Sequence, residues 1–205
     1  MTYTTPQETF WAGEFGDHYI GRNGAASRLD SVRALFRRIL EKAPDVRSAV
    51  EFGCNIGLNL TALAELVPDV ELHAIEINAK AAEIARNRVS GARIQTGSIL
   101  DLEPGCVCDL AFTQGVMIHL APSMLPAVYA KLARTSRRYV LISEYYNPTP
   151  TAVDYRGHSE RLFKRDFAGE FMEAHPEFTL VDYGFVYRRD PIAPLDDITW
   201  FLLSR

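Results

Sequence analysis

At 205 residues, with 47% apolar and 23% charged residues, the chain has the make-up of one globular domain with a full core and is short for two. A net charge of −4 leaves no electrostatic footprint for nucleic acid or an anionic membrane surface, and no apolar run approaches the roughly 20 residues that span a bilayer. The first residues, MTYTTPQETFWAGEFGD, are acidic and lack the basic and apolar regions of a secretory leader, so a cytoplasmic location is expected. Three cysteines, Cys54, Cys106 and Cys108, do not make a disulfide framework. Cys106-x-Cys108 has the wrong spacing for a redox pair, no further Cys or His completes a zinc set, and no metal is expected.

In chain order, residues 7–20 form an expected helix with Phe10, Trp11 and Phe15 inward. A second helix carries Leu29, Val32, Phe36, Ile39 and Leu40 at helical spacing, with a cap near Ser27 and a stop at Pro44. Residues 48–52 read as a strand and 53–57 as a turn. The next helix runs through Leu58 and Leu66 and ends before Pro68. The pattern then repeats as strand 70–75, helix 79–89, strand 92–96, strand 109–113, helix 122–134 and strand 138–143. Strands alternating with helices predict a parallel sheet with helices on both faces, doubly wound because crossovers are right-handed. After a helix over 166–174, strands 178–187 and 198–203 have no helix between them and predict an antiparallel hairpin at one edge. The whole is an α/β fold of seven strands in one domain over 1–205: a lid (1–44), a core (45–144) and a closing segment (145–205). The connection from 145 to 165 is too polar and proline-rich for core and is expected to be a functional loop.

The segment Val50-Glu-Phe-Gly-Cys-Asn-Ile-Gly-Leu-Asn59 carries the most information. A strand running into glycines and then a helix points backbone N–H groups at a ligand on the carboxyl edge of the sheet. The spacing is G-x-x-x-G, with Asn55 where a dinucleotide fingerprint needs its second glycine; that side chain would crowd a pyrophosphate and disfavours an NAD-dependent dehydrogenase. Glu76 lies about 20 residues further on at the end of the next strand, placed to accept hydrogen bonds from two ribose hydroxyls.

This E-x-G-x-N-x-G-x-N pattern resembles the first motif of class I S-adenosylmethionine-dependent methyltransferases, and the resemblance implies a Rossmann-like fold with S-adenosyl-L-methionine as cofactor. It implies cofactor contacts at Gly53, Cys54, Asn55, Gly57, Asn59, Glu76 and Ile77. Thr96-Gly-Ser-Ile-Leu-Asp101 resembles the family's third cofactor segment, which places Ser98 and Ile99 at the adenine. Gln114 and Gly115, after the fourth strand, fall near the sulfonium. Tyr19 and Arg22, in the lid, are expected at the cofactor's methionine end. The openings FWAGEFGDHYIGRN (10–23) and YRGHSERLFKRDFAGE (155–170) resemble methylases associated with pseudaminic acid biosynthesis, implying a sugar or sugar-acid acceptor.

Methyl transfer from a sulfonium is an in-line displacement, in which positioning and exclusion of water supply much of the acceleration. A base is needed only where the acceptor must lose a proton. His119, Glu144, Tyr146 and His158 are the candidate catalytic groups, His119 because of its titration range. Tyr145 and the cations Arg156, Arg161 and Lys164 are the candidate acceptor contacts, suited to a carboxylate or phosphate. Asn147-Pro148 resembles the Asn-Pro-Pro-aromatic signature of adenine and glutamine methyltransferases, but it follows the fifth strand, whereas that slot after the fourth belongs to Thr113-Gln114-Gly115. The expectation is thus a small-molecule methyltransferase, monomeric or homodimeric, without nucleic-acid or membrane partners. An amino acid or another small metabolite as acceptor, or a non-catalytic cofactor-binding module, are the alternatives.

Overall fold

The computed structural model describes residues 3–21 and 26–205, with side chains from residue 28 onward in the second stretch. A short lid comes first: α1 (Pro6–Ala12) and α2 (Glu14–Ile20). The sequence pattern predicts one helix here, and Gly13 divides it. Its extended backbone closes α1 by donating to the Thr9 carbonyl, and it also serves as the N-cap of α2. Upstream, Thr5 and Glu8 form a reciprocal capping box around Pro6 at the first helical position. The expected caps at Ser27 and the expected contact at Arg22 lie outside the described side chains.

The remaining elements are α3 (Ala26–Leu40), β1 (Ser48–Phe52), α4 (Leu58–Leu66), β2 (Glu71–Glu76), α5 (Ala79–Arg88), β3 (Arg93–Thr96) and β4 (Cys108–Gln114), then α6 (Leu125–Thr135), β5 (Ser136–Glu144), β6 (Thr151–Tyr155), β7 (His158–Lys164), α7 (Phe167–Ala174), β8 (Thr179–Val186) and β9 (Ile198–Ser204). Seven strands form one sheet in the order β3-β2-β1-β4-β5-β9-β8. The first five are parallel, and β9 and β8 are the antiparallel edge expected from their sequence. Alternation along the strands sorts the core into two layers. Leu110 and Phe112 of β4 and Tyr139 and Leu141 of β5 face α3, α4 and α5, while Ala111, Val140 and Ile142 face α6 and α7. Every residue of β1 is buried, as befits a central strand covered on both faces. Among the described residues, no helix is long and apolar enough to cross a membrane.

The connection between β5 and α7 corrects the expectation of a loop. Residues Thr151–Lys164 pair as a separate two-stranded antiparallel hairpin. Its turn is Arg156-Gly157, flanked by the pair Tyr155 and His158, with φ of 52° and 83°. Two consecutive positive φ values are what a type I′ turn requires. Leu162 on its inner side is buried in the α6–α7 layer. The hairpin and α1 then close over the carboxyl edge of the sheet: Gln7 Nε2 donates to the Glu160 carbonyl at 3.0 Å, and Phe10 packs edge-on against His158 at 5.0 Å.

Candidate active site

The carboxyl ends of β1, β2 and β4 open into one cleft under this double lid. At its floor the β1–α4 turn passes through Gly53 (φ 84°), Asn55 (φ 47°) and Gly57 (φ 78°). A Cβ on Gly53 would lie 2.6 Å from Cγ2 of Val116, and one on Gly57 would lie 3.2 Å from Cβ of Ala85. Gly53 thus borders the cleft, whereas Gly57, expected at the ligand, lies behind it and sets the approach of α4 to α5. Cys54, Asn55 and Asn59 all line the cleft. Burial keeps the Cys54 thiol protonated. Glu51, also on the wall, accepts from Asn59 Nδ2 at 2.6 Å through one oxygen; its other oxygen, Oε2, is buried without a partner. Burial outweighs that hydrogen bond and pushes the Glu51 carboxyl up to about 8.

Glu76 ends β2 and is held by the backbone. The Asn55 N–H donates to Oε2 at 2.6 Å and the Asn78 N–H to Oε1 at 2.8 Å, with the Ile77 N–H as a further backbone partner. Burial raises its pKa against these bonds. Ile77 lies beside it on the wall. Asn78 caps α5 through Ala81 and also donates to Asp17 at 2.9 Å, which fastens α2 to the core. Beyond β3, Ser98 and Ile99 line the cleft; Ser98 Oγ accepts from the Leu100 N–H. Buried Lys131 fixes that loop by donating to the carbonyls of Ile99 and Leu102 at 2.6 and 2.5 Å. Gln114 and Gly115 complete this side, and Gln114 Oε1 is buried without a partner.

On the lid side the cleft is lined by Gln7, Glu8, Trp11, Tyr19, Tyr145 and Tyr155, with His119 between them. The His119 ring packs against Trp11 at 4.5 Å and Tyr155 at 5.0 Å, and its Nδ1 lies 2.6 Å from the Arg161 carbonyl. A carbonyl only accepts, so Nδ1 carries the proton and Nε2 presents a lone pair. Burial depresses this histidine to about 4, which keeps it neutral near pH 7. Arg28 of α3 also reaches the cleft, in an ion pair with Asp196 at 2.6 Å.

Other expected site residues lie elsewhere. Glu144 is buried below the cleft, where its Oε1 accepts from the N–H groups of Val116 and Met117 (both 3.1 Å) and its Oε2 from Ile118 (3.3 Å). It holds the 3-10 turn Met117–His119 in place, and burial pushes its carboxyl up to about 7. Tyr146 is on the outer surface against Phe201, and His158 is exposed on the lid against Phe10 and Phe15. Arg156 occupies the hairpin turn, Arg161 lies over the Phe10 ring, and Lys164 lies over Tyr145; none of the three lines the cleft. Conversely, Arg28, Asp196, Gln7 and Glu8 were not legible as site residues. The one available signal was Thr5-Pro-Gln-Glu8, a capping-box pattern that fixes the lid's first turn. The Cys106 and Cys108 sulfurs lie 3.6 Å apart, and ligand atoms of His73 and both cysteines fall within 4.8 Å of one another at the amino end of the sheet, remote from the cleft; among the described residues three ligands gather there, one short of a four-ligand zinc set.

Fold and site together define a class: a doubly wound α/β domain with a glycine turn, a strand-end acid and a covered cleft at the carboxyl edge. Residues 49–138 match the family described as "Methyltransferase domain". Its solved neighbours share that fold at low identity. A magnesium protoporphyrin IX methyltransferase from Synechocystis PCC 6803, with S-adenosylmethionine bound, superposes with a TM-score of 0.73 at 14% identity over 100% of both chains. A 1,6-didemethyltoxoflavin N1-methyltransferase from Burkholderia thailandensis gives 0.72 at 16% identity, covering 100% of this chain and 92% of that one. An amino pentose methyltransferase from Micromonospora echinaspora gives 0.64 at 15% identity over 93% and 96%. No curated protein sequence matches significantly.

Proposed function

We propose that the protein is an S-adenosylmethionine-dependent methyltransferase acting on a small molecule. The observation that carries this reading is the set of buried polar atoms left open along one cleft: Glu51 Oε2 and Gln114 Oε1 on the core side, Gln7 Oε1, Glu8 Oε1 and Trp11 Nε1 on the lid side. Buried polar atoms without partners are costly and mark where a ligand completes the hydrogen bonding. The core-side groups fit the cofactor. S-adenosylmethionine bound there supplies a methyl carbon on a sulfonium, which an acceptor lone pair takes by in-line displacement.

This chain's residues bind, orient and exclude water. Glu76, held by the backbone N–H groups of Asn55, Ile77 and Asn78, offers its remaining acceptor capacity to the ribose hydroxyls. Glu51 Oε2 faces the amino group of the methionine end, whose charge favours the ionised carboxylate that burial alone disfavours. Arg28, ion-paired with Asp196 on the cleft wall, and Tyr19 are the described groups placed for the methionine end, Arg22 lying outside the described residues. Ser98 and Ile99 border the adenine. His119 accepts a hydrogen bond from the acceptor through Nε2 and, being neutral, orients more than it deprotonates. Glu144 acts at one remove, by holding the turn that carries His119. We read the acceptor as a sugar derivative, from the resemblance at both lid segments and from the amino pentose methyltransferase that shares this fold; an amino acid or another small metabolite is the alternative. A pseudaminic-type acid would need its carboxylate bound by cations, and among the described residues lining the cleft the one cation is Arg28, already paired with Asp196.

Calorimetric titration with S-adenosylmethionine, S-adenosylhomocysteine and NAD tests the reading. Both sulfur nucleosides bind wild type, and Glu76→Ala weakens them about 100-fold by removing two hydrogen bonds to a charged group. Binding of NAD without a response to the sulfur nucleosides refutes it; unchanged affinity in Glu76→Ala refutes the role of that carboxylate.

A further inference from the structure

The polarity of the lid-side groups is fixed by their backbone partners. Gln7 Nε2 donates to the Glu160 carbonyl, so Gln7 Oε1 is the atom left over and can only accept. His119 Nδ1 faces the Arg161 carbonyl, so its Nε2 can only accept. Glu8 uses Oε2 for the Thr5 N–H at 2.8 Å and the Thr5 hydroxyl at 3.0 Å, and its Oε1 is buried without a partner. Three acceptors, one of them a carboxylate only 3% exposed, therefore line the lid side of one cleft. Among the described residues lining that cleft, the only cation is Arg28, and Asp196 already neutralises it. A carboxylate in such a place lacks a positive partner, which a ligand must bring.

Resting on the methyltransferase reading above, we propose that the acceptor carries an amino group, held as an ammonium by Glu8 Oε1, with hydroxyl or amide donors beside it facing Gln7 and His119. The geometry selects for amine-bearing, hydrogen-bond-donating molecules and against acids. The three cations expected from the sequence to bind an acidic acceptor are turned elsewhere: Arg156 is in the hairpin turn, and Arg161 and Lys164 lie over the rings of Phe10 and Tyr145. Among the described residues lining the cleft, Trp11 Nε1 is a buried unpartnered donor on this side and takes one neutral acceptor atom of the same molecule.

Glu8→Gln isolates the charge. Glutamine also serves at this position of a capping box, so the first turn of α1 is retained. The affinities of glucosamine, N-acetylglucosamine and glucuronate are measured calorimetrically on wild type and Glu8→Gln, with and without saturating S-adenosylhomocysteine. The expected result is glucosamine binding to wild type about ten-fold tighter than either analogue, with that preference lost in Glu8→Gln, since a hydrogen bond to a charged partner is at stake. Glucuronate binding as well as glucosamine, no glucosamine binding, or a preference that survives in Glu8→Gln overturns the proposal. Failure of S-adenosylhomocysteine to bind is a separate result: it refutes the cofactor reading, while the three sugars still report on Glu8 in its absence.

Discussion

Replacing Glu144 by alanine tests whether this carboxylate organises the cleft rather than working in it. The substitution strips the acceptor from three buried N–H groups, those of Val116, Met117 and Ile118. Each orphaned donor costs about 1–3 kcal/mol, less where water enters the vacated space, so a loss of about 3–5 kcal/mol is expected at low pH. The pH dependence has a definite sign. The folded pKa is raised from 4.5 to about 7, so this group's contribution to stability is fully present below 4.5 and is lost as pH rises through 7. At about 1.4 kcal/mol for each unit, that loss is about 3 kcal/mol, and it belongs to wild type alone. The gap between wild type and Glu144→Ala should therefore narrow by about 3 kcal/mol from pH 4.5 to pH 8. Urea unfolding followed by tryptophan fluorescence measures it, Trp200 being fully buried. A gap that is constant, or that widens as pH rises, refutes the burial argument for Glu144.

Two more expectations follow from the same geometry. Gly53→Ala should lose about 2 kcal/mol, since the residue sits at φ 84° and the new Cβ would meet Val116 at 2.6 Å. Adding Val116→Ala should restore only the steric part, and full recovery in denaturant melts would show that the backbone angle carries no cost. The His119 imidazole, depressed to about 4 by burial, should keep its neutral-form NMR shifts from pH 8 down to pH 5. A titration midpoint above 6 would contradict the dry packing between Trp11 and Tyr155.

The sheet was legible because its signals are local and redundant. Each parallel strand is a short apolar run bounded by turn residues, and each crossover helix has its own period, so errors stay at the ends. The strand expected at 138–143, for example, extends over Ser136–Glu144. The glycine turn after β1 and the acid at the end of β2 were legible for a related reason: both are fixed by the backbone path alone. The lid was not. Its hairpin turns on Arg156 at φ 52°, a conformation that Asn or Gly signals and Arg does not. The basic residues 156–165 suggested an anion site because composition is visible in a sequence and side-chain direction is not. Glu144 shows the same gap: a strand-end acid is equally placed to meet a ligand or to cap the following turn, and here three N–H groups of that turn reach it first.

The lid also explains how one cleft separates two chemistries. The core side presents groups fixed by β1, β2 and β4. The lid side presents Gln7 and Glu8, which are placed by the capping box at Thr5 and by a single bond to the Glu160 carbonyl on the hairpin. Asn78 links the two halves, capping α5 beside Glu76 while donating to Asp17 of α2. The contact that fastens α2 therefore falls on the same residue whose N–H holds the strand-end acid. Acceptor recognition through Glu8 then depends on an ordered first turn of α1, and exclusion of water depends on Trp11 and Tyr155 packing across His119. On the proposed reading, acceptor choice can then change through α1 and the hairpin while the groups carried by β1, β2 and β4, and His119 on its turn, keep their places.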